Sequence, residues 1–151
     1  MYESDGITWI DDSKATNPHA ASASIMSALS VIWVAGGLAK GAYMGELVER
    51  IKARVRVAIL IGEDRALIAD EIRQRAPHIQ VELIDSPAGY SKGGVDNSLM
   101  ERVIRTAQAK AVSGDTVLLA PACASMDQFL SYSDRGERFK SAVEKVVRDG
   151  K

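Results

Sequence analysis

Three short segments of this chain gather residue types that bind and orient small charged molecules. The first, Asp11-Asp-Ser-Lys-Ala-Thr-Asn-Pro18, packs carboxylates, an ammonium group and hydroxyls together. Lys14 can neutralise a phosphate, Asp12 can accept from hydroxyls, and Thr16 can donate to a carboxylate. The second, Gly36-Gly-Leu-Ala-Lys-Gly41, joins glycines that admit close backbone approach to one cation, Lys40. The third runs from the apolar stretch Thr116–Ala120 into Pro121-Ala-Cys-Ala-Ser-Met-Asp-Gln-Phe129, a loop of small residues around Ser125. Its sequence suggests a row of free backbone N–H groups beside a short helix start, an arrangement that favours an anion. A lysine, hydroxyls and N–H groups together suit an anionic small molecule. Each segment also has a plainer reading: a capped turn with solvated charges, a flexible loop with a solvated lysine, and a corner with a polar rim.

The elements that must carry these segments alternate between strand and helix. Ile7–Ile10, Val31–Ala35, Val55–Ile61, Val81–Ile84 and Val117–Ala120 read as strands, and the continuous apolar runs among them fit strands covered on both faces. Asn17 followed by Pro18 is an N-cap and first-turn proline, predicting a helix to about Leu29. Leu47, Val48 and Ile51 mark a second helix, and Leu67, Ile68 and Ile72 a third that stops before Pro77. Asp85–Val95, with Pro87, Gly89, Gly93 and Gly94, reads as a loop. Leu99, Met100, Val103, Ile104, Ala107 and Ala111 give the clearest amphipathic helix, and Phe139, Val143, Val146 and Val147 the inner face of the last. Strands separated by single helices imply right-handed crossovers, hence a doubly wound α/β domain with a mainly parallel sheet and helices on both faces. In such a fold, ligands sit at the C-terminal ends of the strands, where all three segments should converge.

Composition narrows the partners. With 151 residues, 46% of them apolar and 5% aromatic, the chain suits one domain with a full core. Its 19 basic and 20 acidic side chains leave a net charge of −1, which argues against nucleic acid as a main partner. No apolar run approaches the roughly 20 residues of a membrane span. The acidic first residues lack the apolar core of a signal peptide. A single cysteine, Cys123, permits no internal disulfide and fits the cytoplasm; its expected role is a buried small residue rather than a nucleophile. The phosphate cradles G-x-x-x-x-G-K-[ST] and G-x-G-x-x-G are both missing. His19 and His78 are the only histidines and form no metal motif with a cysteine pair. His19 reads as a surface helix residue.

Asp12-Ser-Lys-Ala-Thr-Asn17, Gly36-Gly-x-x-Lys-Gly41 and Leu119-x-Pro-Ala-Cys-Ala-Ser-x-Asp-Gln-Phe129 with Arg135-Gly136 together resemble the C-terminal domain of the Mur ligases, in the branch that adds D-glutamate. The match runs in order over nearly the whole chain, with residues 65–110 alike in pattern only. The resemblance implies a Rossmann-like domain over residues 1–151. It also implies a longer ligase in which an N-terminal domain holds the uridine nucleotide and a central domain carries the P-loop, ATP and Mg2+. That enzyme would phosphorylate the carboxylate of UDP-N-acetylmuramoyl-L-alanine, and the amine of D-glutamate would attack the acyl phosphate, in the cytoplasmic stage of peptidoglycan synthesis. Lys40 and Thr16 would contact one D-glutamate carboxylate and Ser125 the other, assisted by a backbone N–H near Tyr132, where relatives often have phenylalanine. Asp12 would face the ribose and Lys14 the phosphates. Leu38-Ala39 stands where some relatives have Asp-Gly. The fragment alone, without a P-loop, is expected to be inactive. Two other readings remain: a freestanding α/β binding or regulatory module, and an NAD-type Rossmann protein, which the missing glycine fingerprint disfavours.

Overall fold

A computed structural model describes residues 1–92 and 96–150. Gly93, Gly94 and Val95, the end of the expected Asp85–Val95 loop, lie outside the described residues. In chain order the elements are β1 (Tyr2–Ser4), β2 (Ile7–Asp11), α1 (Pro18–Ile25), β3 (Val31–Gly36), α2 (Gly45–Ile51), β4 (Val55–Ile61), α3 (Arg65–Arg75), β5 (Gln80–Leu83), α4 (Ser98–Lys110), β6 (Thr116–Leu119) and α5 (Tyr132–Val143), which continues into a π-helical turn, Glu144–Arg148.

The strands form one six-stranded sheet in the order β1-β2-β6-β3-β4-β5. Every pairing is parallel except β1 with β2. The fold is thus the expected Rossmann-like α/β architecture. Period-two alternation divides the core between the two faces. Val31, Trp33, Ala35, Ala58 and Leu60 pack against α1, α2 and α3 through Ile25, Leu47, Val48, Ile51, Ile68 and Ile72. Ile32, Val34, Val57, Ile59 and Ile61 pack on the other face against α4 and α5 through Leu99, Val103, Ile104 and Phe139. Because both faces are covered, β3 and β4 are nearly unbroken apolar runs.

Local chemistry fixes the element ends. The Asn17 side chain accepts the Ala20 N–H at 2.9 Å, and Pro18 opens α1 as expected. The Ser131 hydroxyl accepts the Asp134 N–H at 3.0 Å and starts α5.

Several expectations need correction. α1 stops at Ile25, not near Leu29, and Leu29 is 84% exposed. The Ser27 hydroxyl donates to the Ser24 carbonyl at 2.6 Å, and Arg54 donates to the carbonyls of Met26 and Ala28, so the backbone groups of this stretch are satisfied without a helix. Leu67 lies within α3 but on its outer side; Ile68, Ala69 and Ile72 make the buried face. β1 was not anticipated. It forms a hairpin with β2 across Asp5 and Gly6, both at positive φ, +57° and +77°. Asp-Gly between β-forming residues is the sequence signal for such a two-residue turn.

Candidate functional site at the C-terminal edge of the sheet

β6 lies between β2 and β3, and the chain leaves these three strands toward opposite faces, β2 and β3 to one side and β6 to the other. The crevice at such a switch point is where an open α/β sheet holds its ligand. All three chemistry-bearing segments emerge there.

Backbone hydrogen bonds stitch them into one surface. The Asp12 N–H donates to Leu119 O and the Ala122 N–H to Ala15 O, at 2.9 and 2.8 Å. The Gly36 N–H donates to Pro121 O, and Leu38 and Ala124 exchange two bonds of 2.9 Å each. Residues 15–16, 38–40 and 122–125 therefore meet, and Thr16, Lys40 and Ser125 come from the three loops at this junction. Thr16 is half-buried, Lys40 is exposed, and Ser125 is buried at 4% exposure.

The loop of Ser125 differs from its expected form. Ala122 and Ala124 spend their N–H groups on Ala15 and Leu38, while Gln128 and Phe129 donate to the Ser125 carbonyl. The expected row of free N–H groups is thus partly consumed by neighbouring loops. No helix follows Ser125 directly; irregular chain continues to Ser131 before α5 begins.

Asp12, Lys14 and Tyr132 form a second group. With Asp11, Ser13 and Gly136 they line a cavity of about 250 Å3 beside the N-terminus of α5. Asp12 is half-buried, while Lys14 and Tyr132 are exposed. The structure thus sets Tyr132 with Asp12 and Lys14.

Arg135 holds the two groups in register. It is 1% exposed, and it donates from Nε to Ser13 Oγ (2.8 Å), from Nη2 to Ser13 O (3.0 Å) and from Nη1 to Cys123 O (3.1 Å). Ser13 Oγ donates onward to the Tyr132 carbonyl at 2.7 Å. Burial draws the Arg135 guanidinium down to about 10, against the fields of Cys123, Asp127 and Asp11, and pushes the Cys123 thiol up to about 12 despite Arg135. Cys123 is 1% exposed, as expected of a packing residue. Sequence reasoning gave Arg135 no role, although it stands four residues before Phe139 on the buried stripe of α5.

The turn after β4 was also missed. The Asp64 N–H donates to Gly37 O at 2.9 Å, and Asp64 Oδ2 accepts the Ala39 N–H at 2.8 Å. Asp127 Oδ2, from the Ser125 loop, accepts the Glu63 N–H at 2.8 Å. Gly62 packs so closely that a Cβ there would lie 2.5 Å from the Gly37 backbone. No local pattern marks this turn, because its partners are distant in sequence.

Comparison with known proteins shows the family. A family model described as "Mur ligase, glutamate ligase domain" matches residues 1–123. Thr16 and Lys40 fall inside that match; Ser125 and Tyr132 lie past its end. The UDP-N-acetylmuramoylalanine--D-glutamate ligase of Streptomyces avermitilis is 50% identical over 139 residues, covering 92% of this chain and 28% of that protein. Proteins of the same name from Streptomyces coelicolor and Leifsonia xyli are each 46% identical, over 94% and 96% of this chain and 28% and 27% of their own length. The chain spans little more than a quarter of these relatives.

Proposed function

The chain belongs to the Mur ligase family, and on that premise we propose that it is the D-glutamate-binding domain of an ATP-dependent ligase that joins D-glutamate to UDP-N-acetylmuramoyl-L-alanine in peptidoglycan synthesis. The observation that carries this reading is the stitched junction of three loops bearing Thr16, Lys40 and Ser125. D-Glutamate is a dianion with one ammonium group. Selecting it over shorter amino acids requires two donor sets a fixed distance apart. Lys40 and Thr16 supply one set, and the Ser125 hydroxyl supplies the other.

Asp12 and Lys14 suit the edge of a nucleotide, the carboxylate accepting from ribose hydroxyls and the ammonium facing phosphates. The cavity they line is small and mixed in charge, which fits an edge contact better than a complete nucleotide site. Asp12 and Lys14 would face bound ATP with Mg2+, which would supply the phosphoryl group that activates the acceptor carboxylate. The residues of this chain hold the D-glutamate amine toward that carbon and exclude water from it, so positioning and charge neutralisation are their contribution. The amine, having lost a proton to solvent, would attack that carbon; loss of a further proton and cleavage of the carbon–oxygen bond would release phosphate and leave the amide, with ADP as the product of the earlier phosphoryl transfer. We place the reaction in the cytoplasm and the nucleotide-binding machinery in parts of the protein outside this chain; the isolated domain is expected to form no amide.

Lys40→Ala in the full-length protein tests the reading. Losing a charge-assisted contact should raise KM for D-glutamate roughly ten- to a hundredfold and leave KM for UDP-N-acetylmuramoyl-L-alanine near its original value. Unchanged D-glutamate saturation removes Lys40 from the site.

A further inference from the structure

We propose that Asp64 is the positioning residue for Lys40: it clamps the loop before that lysine and fixes where the ammonium group is delivered. The inference rests on the assignment of Lys40 to the D-glutamate carboxylate.

Lys40 stands at the end of a loop whose backbone is tied at every residue. The Gly37 carbonyl accepts the Asp64 N–H, Leu38 exchanges both of its backbone bonds with Ala124, and the Ala39 N–H donates to Asp64 Oδ2. Asp64 thus grips the loop at both ends, as donor at Gly37 and as acceptor at Ala39. The next residue, Lys40, takes a left-handed backbone conformation at φ +52°, unusual for a side chain with a Cβ, so it needs neighbours that enforce it. Leu38 and Ala39 are apolar, which leaves the Ala39 N–H dependent on an acceptor from elsewhere in the chain.

The clamp is itself held. Gly62 packs against the Gly37 backbone, and Asp127 Oδ2 accepts the Glu63 N–H, so the turn bearing Asp64 is fastened to the Ser125 loop as well. Through this turn the Lys40 loop and the Ser125 loop share one brace, which suits a ligand whose two carboxylates must be met at a set separation. Asp64 lies outside all three chemistry-bearing segments, and its contribution is the carboxylate oxygen on Ala39.

The test is steady-state kinetics of the full-length protein with four variants. Asp64→Ala should raise KM for D-glutamate about tenfold, with KM for the uridine-nucleotide substrate within about twofold of wild type. Asp64→Asn keeps an oxygen in place for the Ala39 N–H and should recover most of that loss. In the Lys40→Ala background, Asp64→Ala should add little, because a residue that acts through Lys40 has nothing left to position. If Asp64→Ala fails to fold, Asp64→Glu replaces it: the displaced oxygen should again raise KM for D-glutamate, and an unchanged value overturns the proposal. It is equally overturned if the two KM values rise together, if Asn gives no recovery, or if the Asp64 and Lys40 effects multiply fully. Failure of the underlying reading looks different: Lys40→Ala itself leaves D-glutamate saturation unchanged.

Discussion

The two ends of the same parallel sheet are built on opposite terms. At the N-terminal end, Asp115 is 2% exposed and both its oxygens are occupied. Oδ1 accepts from Ser30 Oγ at 2.7 Å; Oδ2 accepts from Arg56 Nη2 at 2.5 Å and from the Val112 N–H at 2.9 Å. At the C-terminal end, Lys14 and Lys40 are exposed and pair with no carboxylate among the described residues. That end also holds Lys40 and Ala122 in left-handed conformations, at φ +52° and +62°. Charge at one end is consumed in holding the strands together. At the other the two lysines are left available, and the left-handed residues there are held by backbone bonds from neighbouring loops, whereas Asp5 at the N-terminal end takes its positive φ inside a two-residue hairpin turn.

The largest effect should come from the residue that blurs this contrast. Arg135 is a buried charge at the otherwise open end, held by three hydrogen bonds to neutral oxygens. Arg135→Ala would strand three acceptors, on Ser13 and Cys123, and leave a cavity, at a cost of about 3–5 kcal/mol measured by chemical denaturation. A cost below about 1 kcal/mol would mean that the loops are held by their backbone bonds alone.

Asp115→Ala should cost about 2–3 kcal/mol, since the Ser30 hydroxyl and the Val112 N–H lose their acceptor while Arg56, 44% exposed, can turn to water; D-glutamate saturation in the full-length protein stays unchanged. Acid should act in the same direction. Burial raises the Asp115 carboxyl, but hydrogen bonds from Arg56, Val112 and Ser30 and the attraction of Arg56 outweigh it, and the group titrates below the usual carboxylate range. A folded-state value depressed in this way gives stability that is whole above about pH 4 and lost as pH falls below it. The difference in melting temperature between wild type and Asp115→Ala should therefore be smaller at pH 3 than at pH 6; a constant gap would remove Asp115 as the source.

The smallest effect sharpens the contrast most. Lys40→Gly should leave stability unchanged or raise it by about 0.5 kcal/mol, because glycine relieves the left-handed strain and gives part of that gain back as unfolded-chain entropy. A melt showing a clear loss would make Lys40 a structural residue.

What could be read from the sequence follows the same division. β3, β4 and α4 announce themselves because each needs only its own apolar pattern. The segments around Thr16, Lys40 and Ser125 were legible because their residue types cluster locally and should emerge at strand ends. The roles of Arg135, quoted only as part of a motif, and of Asp64 were not, since their partners lie on other segments: Ser13 and Cys123 for one, Gly37 and Ala39 for the other. The N–H row of the Ser125 loop was overestimated for that reason, as its acceptors at Ala15 and Leu38 exist only once the sheet is assembled. The early end of α1 turns on serine hydroxyls competing for the backbone, which apolar spacing does not reveal.

The placement of β6 has a kinetic consequence. The β1–β2 hairpin is a local unit, and β3, β4 and β5 pair in sequence order. Among the described residues no strand pairing joins these two halves until Thr116–Leu119, drawn from late in the chain, slides between Ile7–Asp11 and Val31–Gly36. Insertion of this strand closes the longest loops of any strand pairing in the sheet, the slow kind of step in folding. The same event brings the Ser125 loop against the loops of Thr16 and Lys40. The candidate site is therefore assembled at the step that completes the sheet.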